Sequence, residues 1–390
     1  MICSLEKTIK VGIVGTGFVG RGLSSLLSGR NDMKVSLVLT RRQGVIPGLG
    51  IDQDKITRIP EKLMEQSDIV VVSTGDPLYS TEIIDLAFSF GLPVGTMDVD
   101  TLAVTGSWLK NRGLFTESEG DQPGCLATLK EEALQMGFTP WVYGNIKWYL
   151  NHTPSPDDMH FWAKKQGYSL QSVTSFTDGT KLQTEQCVVA NGLGATITRQ
   201  GLEGIRAEDL DKGAKDLAKL AMDVGYPISD YIICHGAPSG VFIAATHDEK
   251  LSWGLETYKL GKGPVYVLHR PYHLCFFEIP KTIIRFLQTR MPILDNGSQP
   301  SISVATIAKC KLTPGTIIKK GIGSFTLRGE NVKITDYPDH LPIGLADNIH
   351  IKRHIEPGQI IEFEDIDIPE SKAVKAWQET LNGIQIKHDI

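Results

Sequence analysis

Between Ile9 to Val14, which reads as a short strand, and a helical face carrying Leu23, Leu26 and Leu27 lies the run Gly15-Thr16-Gly17-Phe18-Val19-Gly20. Strand, glycine turn, helix is an order that few folds accept. Gly15 permits the tight turn, Gly17 lets backbone N–H groups approach a pyrophosphate, and Gly20 lets the helix pack closely on the strand. Taken alone the spacing is weak, and a glycine-rich structural turn competes with it. A second strand, Val35 to Leu39, follows after a helix of suitable length and completes a βαβ unit. The first third is therefore expected to form a Rossmann-type parallel sheet that binds a dinucleotide, with Gly15, Gly17, Phe18, Val19 and Gly20 at the pyrophosphate.

Thr40-Arg41-Arg42 stands at the end of that second strand, where an acidic residue commonly takes the ribose hydroxyls. A guanidinium there grips a 2′-phosphate, which favours NADP and leaves NAD open; two solvated surface arginines are the alternative. The α/β alternation continues through a strand from Asp68 to Ser73, a helix from Thr81 and a strand from Pro93 to Met97. Ligands of such sheets lie at the carboxyl ends of the strands, which places Ser73, Thr74, Gly75 and Asp98 at the cofactor unless turn and capping chemistry accounts for them.

The formal charge of -5 over 390 residues gives no basic field for nucleic acid or an anionic membrane face. Six cysteines without a C-x-x-C pair argue against a zinc ribbon and against a disulfide scaffold. No apolar stretch approaches the ~20 residues that span a bilayer. Met1 to Lys10 lacks the apolar core of a signal peptide, so a cytoplasmic location is expected, with no nucleic-acid or membrane partner.

Gly120-Asp121-Gln122-Pro123-Gly124, Gly144-Asn145-Ile146-Lys147 and Val173 to Lys181 resemble one family of NAD(P)-dependent oxidoreductases with a homoserine-dehydrogenase-like N-terminal half and a C-terminal SAF domain. Ala190-Asn191, Gly263-Pro264, Pro271 to Leu274 and Leu341 to Leu345 follow in the same order. The likeness covers nearly the whole chain. Such families include reductoisomerases making methylerythritol phosphate and oxidoisomerases of branched sugar acids, so the resemblance implies fold and redox class more closely than substrate. Where family members carry an Arg-Asn-Pro type of run, this chain has Asn151-His152-Thr153-Pro154.

Lys147, at the end of a strand expected over Thr139 to Asn145, is the favoured proton donor or oxyanion stabiliser, against a snorkelling surface lysine. Asp178, Lys181 and Glu185 are spaced three and four apart and share a face if the segment is helical. A lysine there can protonate a developing alkoxide, with Glu185 setting its state; a solvated salt bridge is the competitor. Tyr272 and His273 are further catalytic candidates, His273 against a satisfied core histidine. Arg199, Asn191 and Asp121 are candidates for holding an anionic or polar substrate, Arg199 against a structural salt bridge. His152, Asp157, Asp158 and His160 occupy a proline-containing loop without a metal-ligand signature, so no metal is expected.

The expected architecture is α/β: a Rossmann-type domain at 1–146, an α+β substrate domain at 147–298 and a small all-β domain at 299–390, SAF-like by the resemblance, with a C-terminal helix. A Pro-Gly turn recurs within the last part, Lys309 to Ile318 echoing Lys352 to Ile361, and Asp295 to Pro300 reads as a linker. The expected activity is NAD(P)-dependent oxidation or reduction of a small polar hydroxy-carbonyl compound of sugar-acid, sugar-phosphate or amino-acid type. A reductoisomerase and a non-catalytic nucleotide sensor are the alternatives. Self-association into a homo-oligomer is left open.

Overall fold

A computed structural model describes residues 8–44 and 53–385. The glycine turn joins β1 (Ile9–Val14) to α1 (Phe18–Ser28), and the chain continues through β2 (Met33–Leu39), β3 (Ile56–Thr57), α2 (Pro60–Glu65), β4 (Ile69–Val72), α3 (Pro77–Ser89), β5 (Val94–Thr96), α4 (Val99–Lys110) and β6 (Phe115–Glu117). Among the described residues these strands form one parallel sheet in the order β3-β2-β1-β4-β5-β6. The strand order reverses between β1 and β4, which opens a crevice at the carboxyl end of β1, directly at the glycine turn.

The middle of the chain contributes α5 (Gln122–Gln135), β7 (Thr139–Lys147), α6 (Pro156–Gln166), α7 (Leu170–Asp178), α8 (Thr180–Leu193), β8 (Ile205–Arg206), α9 (Leu210–Val224), β9 (Ile228–Ile233), β10 (Val241–Thr246), α10 (Ser252–Thr257), β11 (Val265–Arg270) and α11 (Ile279–Thr289). Its mixed sheet runs β11-β10-β7-β9-β8. The expected boundary at 146/147 falls inside β7, the middle strand of this second sheet, so the first sheet ends with β6. The chain also returns: Ile279, Ile283 and Phe286 of α11 are buried against Ile9, Val11, Ile13 and Val35 of the first sheet. The loop expected between Asn151 and His160 gives way at Pro156 to α6, because Ser155 caps the helix, accepting from the Asp158 N–H at 3.2 Å.

The last part comprises β12 (Ile302–Ala308), β13 (Ile317–Ile318), β14 (Leu327–Lys333), β15 (Ile349–Ile351), β16 (Ile366–Asp367) and α12 (Lys372–Gln385). The two Pro-Gly echoes pair with one another through an antiparallel bridge between Leu312 and Ile355, and Gly315 and Gly358 take φ of 87° and 84° in equivalent turns. The expected linker is pinned: Asn296 is buried, donates to Ser107 Oγ at 3.2 Å and accepts from Asn191 at 3.0 Å. Trp377 of α12 is fully buried where α12 packs on α3 and α4, so the C-terminal helix covers the first sheet's outer layer.

Between the layers runs α8. It is buried almost all round, and its polar residues are held by backbone partners: Gln183 Oε1 accepts from Asn331 N at 2.8 Å, and Gln186 Nε2 donates to Asp230 O at 2.6 Å. A helix tied on several sides has little freedom to rotate, which fixes the direction of the charged side chains it carries.

Candidate active site

At the end of β1 the glycine turn has the shape that a pyrophosphate needs. Gly15 takes φ 109°, and a Cβ there would meet Ser73 O at 2.5 Å; at Gly20 it would meet Gly15 O at 2.1 Å. Both positions require glycine for backbone packing. At Gly17 a Cβ would meet nothing within 4 Å, so the backbone is open to a ligand, and the first turn of α1 carries no acidic residue. Free N–H groups at the positive end of a helix dipole suit a dinucleotide phosphate. Phe18 packs against Tyr168, tilted by 48°, and edge-on against Phe276, with centroids 4.9 and 5.7 Å apart, and joins the turn to the middle of the chain. Val19 packs against the core that α11 shares with the first sheet.

Thr40 and Thr16 hydroxyls lie 3.1 Å apart, Arg42 reaches Thr16 O at 3.4 Å, and Arg41 pairs with Asp76 at 2.7 Å while lying over the Tyr79 ring at 4.1 Å. Asp98 Oδ2 accepts from Gly75 N at 3.1 Å, Thr74 Oγ1 at 3.2 Å and Ser80 Oγ at 2.8 Å. Asp98 thus braces the loop after β4. Ser73 donates through its backbone N–H to Val14 O at 2.9 Å.

Deeper in, four elements converge. Glu185, in the second turn of α8, is 1% exposed; its Oε2 accepts from Asn145 Nδ2 at 2.8 Å and faces Lys147 Nζ at 3.4 Å, both from the end of β7. Lys181, one turn earlier, lies 3.7 Å from Glu185 Oε1 and donates to Asp121 Oδ2 at 2.6 Å. Asp121 caps α5, accepting from Gln122 N at 3.1 Å. The Gln122 amide nitrogen donates to Asp121 Oδ1 at 2.6 Å and Glu185 Oε1 at 3.0 Å, and its oxygen accepts from His273 Nε2 at 3.1 Å. His273 Nδ1 faces Gly120 O at 3.2 Å.

The electrostatics separate the two lysines. Burial pushes the Lys181 ammonium down, but Asp121, Glu185 and Asp100 outweigh it and hold its pKa well above the usual lysine range. Burial likewise pushes Asp121 up, and Lys181 overcomes it to hold the carboxyl below its ordinary value. Glu117, fully buried with both oxygens unpartnered, is raised well above the usual carboxyl range by desolvation first and then by Asp121. Asp100 is pushed up to about 6, again mainly by burial. Lys147 is held by one longer contact and is 20% exposed.

Several sequence candidates stand elsewhere. Asp178 does not share a helical face with Lys181 and Glu185: α7 ends at Asp178, Gly179 breaks the helix at φ 88°, and Asp178 is buried against Lys309 at 2.5 Å. Asn191 is a structural tie, accepting from Ser301 N and Ile302 N at 3.0 Å each. Arg199 is exposed between α8 and β8 and makes no side-chain hydrogen bond to the cluster. Tyr272 is 49% exposed and lies over Arg270 at 5.2 Å, outside the network that takes in His273. Gln122, Glu117 and Asp100 were not among the sequence candidates; the acidic string Thr116 to Asp121 signalled Glu117, Gln122 stood inside the Gly120 to Gly124 motif, and nothing in the sequence singled out Asp100. Among the described residues no group of three or more His, Cys, Asp or Glu is arranged to hold a metal, and no helix is long and apolar enough to cross a membrane.

Residues 120–279 match the family described as Oxidoreductase DRL, catalytic domain. The matched stretch runs from the turn before α5 to the first residue of α11 and contains Asp121, Lys147, Lys181, Glu185 and His273. No curated protein matches the chain. Solved structures similar to it include UDP-N-acetylglucosamine 3-dehydrogenase from Acidithiobacillus ferrooxidans, 10% identical with a TM-score of 0.44, covering 74% of this chain and 92% of that one. A myo-inositol dehydrogenase from Corynebacterium glutamicum is 10% identical with a TM-score of 0.43, covering 73% and 90%. Homoserine dehydrogenase from S. aureus is 11% identical with a TM-score of 0.41, covering 84% and 93%. The Rossmann-type sheet with its open glycine cradle and the matched catalytic domain define the class: the protein is an NAD(P)-dependent oxidoreductase.

Proposed function

We propose that the protein is NADP-linked and interconverts a carbonyl and a hydroxyl on a small, polar, hydroxylated compound, with Lys147 as the proton donor and Lys181 as a fixed cation beside the reacting oxygen. The observation that supports this best is the pair of ammonium groups held on opposite oxygens of one buried carboxylate, Glu185, at 3.4 and 3.7 Å. The nicotinamide, when bound, supplies or accepts the hydride.

Lys181 keeps its proton firmly and acts as a preorganised charge that favours the developing alkoxide. Lys147 is held by a single, longer contact where Lys181 is tied to two carboxylates, so the Lys147 Nζ gives the proton to that oxygen and regains one from solvent. Asn145 and Gln122 orient Glu185, and His273 orients Gln122. The polar lining suits hydroxyl groups on the substrate. Arg41 and Arg42 at the end of β2 support NADP. We read the C-terminal module as SAF-like on its paired Pro-Gly turns, and the organisation as three units, the second beginning near Gly120.

The test is NADPH oxidation against a panel of phosphorylated and acidic hydroxy-carbonyl compounds. For a substrate that turns over, Lys147→Ala is expected to lower kcat by roughly 10²–10⁴-fold while nucleotide affinity is retained. A kcat within about threefold of wild type would remove Lys147 from the proposed step.

A further inference from the structure

The mouth of the nucleotide crevice is reached by a side chain from the C-terminal part of the chain. Lys320 follows β13 and is ion-paired with Asp347, whose other oxygen accepts from Gly321 N at 3.1 Å. The module that carries it is seated closely on the first sheet's helices: a Cβ at Gly344 would meet Val104 at 2.6 Å and Pro77 at 3.3 Å. Lys320 Nζ thereby stands 3.9 Å from Asp76 Oδ2, the same oxygen that accepts from Arg41 Nη2 at 2.7 Å. Two cations from distant parts of the chain share one carboxylate oxygen at the N-terminus of α3.

We propose that Lys320 is a cofactor-specificity residue that, with Arg41, binds the 2′-phosphate of NADP, so that the C-terminal module completes the nucleotide site. This rests on the NADP reading and adds to it a residue that the βαβ unit does not contain. The adenosine end of a dinucleotide lies between the end of β2 and the loop after β4, which are the segments carrying Arg41 and Asp76. The Arg41 guanidinium carbon lies 4.1 Å from the centre of the Tyr79 ring and its Nη2 donates to Asp76, and a guanidinium has further N–H donors to offer a phosphate. The side chains of Arg41 and Lys320 are 60% and 44% exposed, so both remain accessible. Arg42 and Arg58 stand nearby, Arg58 donating to Arg42 O at 2.9 Å. Against these cations the described carboxylates are Asp76, Asp347 and Glu82, the last acting on the Tyr79 phenol. Asp76 holds Arg41 and Lys320 together before the ligand arrives. A phosphate monoester carries up to two charges and more acceptor oxygens, and takes over both cations.

Isothermal titration of the full chain with 2′,5′-ADP and with 5′-AMP tests this without turnover. Wild type is expected to prefer 2′,5′-ADP. Lys320→Gln is expected to weaken 2′,5′-ADP by about tenfold, a loss of about 1.4 kcal/mol, and to leave 5′-AMP within twofold. Lys320→Arg, which keeps the charge, is expected to retain most of the preference and guards against a folding defect in the glutamine variant. If Lys320→Gln leaves 2′,5′-ADP unchanged or weakens both ligands alike while Arg41→Ala removes the preference, the inference falls and the NADP reading stands. If wild type does not distinguish the two ligands, both fall.

Discussion

Replacing Lys181 by methionine keeps most of the side-chain volume and removes its charge, which isolates what the ammonium does for the buried acids around it. Its Nζ lies 2.6 Å from Asp121 Oδ2 and 3.7 Å from Glu185 Oε1. At an effective dielectric of ~20 those separations correspond to attractions of about 6 and about 4 kcal/mol, most of which offsets the desolvation of the three charges. Removing one partner of a buried pair costs about 3–5 kcal/mol, and Lys181→Met is expected to lose that much stability near pH 8.

The pH dependence carries the sign. In wild type Lys181 holds the Asp121 carboxyl below its unfolded value, so Asp121 contributes stability that is present above about pH 4 and lost as pH falls further. Without Lys181, burial dominates and lifts that carboxyl above its unfolded value; its contribution is then fullest in acid and lost as pH rises. The deficit against wild type should therefore shrink as pH falls from about 8 to about 5. Urea unfolding followed by circular dichroism across that window measures it. A deficit constant with pH, or smaller than about 1 kcal/mol throughout, would refute the assignment of Lys181 as the charge that balances this cluster.

Two further predictions use other buried groups. Glu117 has its pKa raised by burial, so its share of stability is complete below its unfolded value and lost as pH rises; Glu117→Gln should match wild type near pH 4 and exceed it near pH 8 by about 1–2 kcal/mol, and equal stabilities at both would contradict this. His340, buried and lowered to about 4 chiefly by desolvation, sits between Ser303 Oγ at 2.7 Å and Tyr337 O. Its neutral form contributes stability present above about pH 6.5 and lost towards pH 4, worth about 3 kcal/mol, and acid unfolding of His340→Gln should show a correspondingly shallower slope.

The glycine turn was legible because its demands are local: Gly15 and Gly20 answer to backbone atoms within a few residues or just beyond the adjoining strand, and Gly17 stands between them with open space beside it. The βαβ rhythm followed from strand and helix periodicity in the same way. Lys147, Lys181, Glu185, Asp121 and His273 could be chosen by residue type and by the resemblance, and the structure gathers them into one network. Asn191 and Arg199 look equally functional in sequence, since a polar residue near a helix end reads alike whether it meets a ligand or ties down a backbone. The boundary expected at 146/147 falls inside β7, which pairs with β9 and β10, strands some 80 residues or more further on, and no local pattern announces such pairing. Gln122 and Lys320 acquire their places only when separate elements close on one another.

Nucleotide binding to Gly17→Asp tests the central claim most directly. A Cβ there meets nothing within 4 Å and the residue has φ -75°, so aspartate fits the unliganded fold and is a good cap for α1. Its carboxylate would occupy the pyrophosphate position with the wrong charge. The account predicts that wild type binds NADPH, and that Gly17→Asp keeps its melting temperature while losing at least about a hundredfold in affinity, near 2.7 kcal/mol. Equal binding by both proteins, or none by folded wild type, would contradict it.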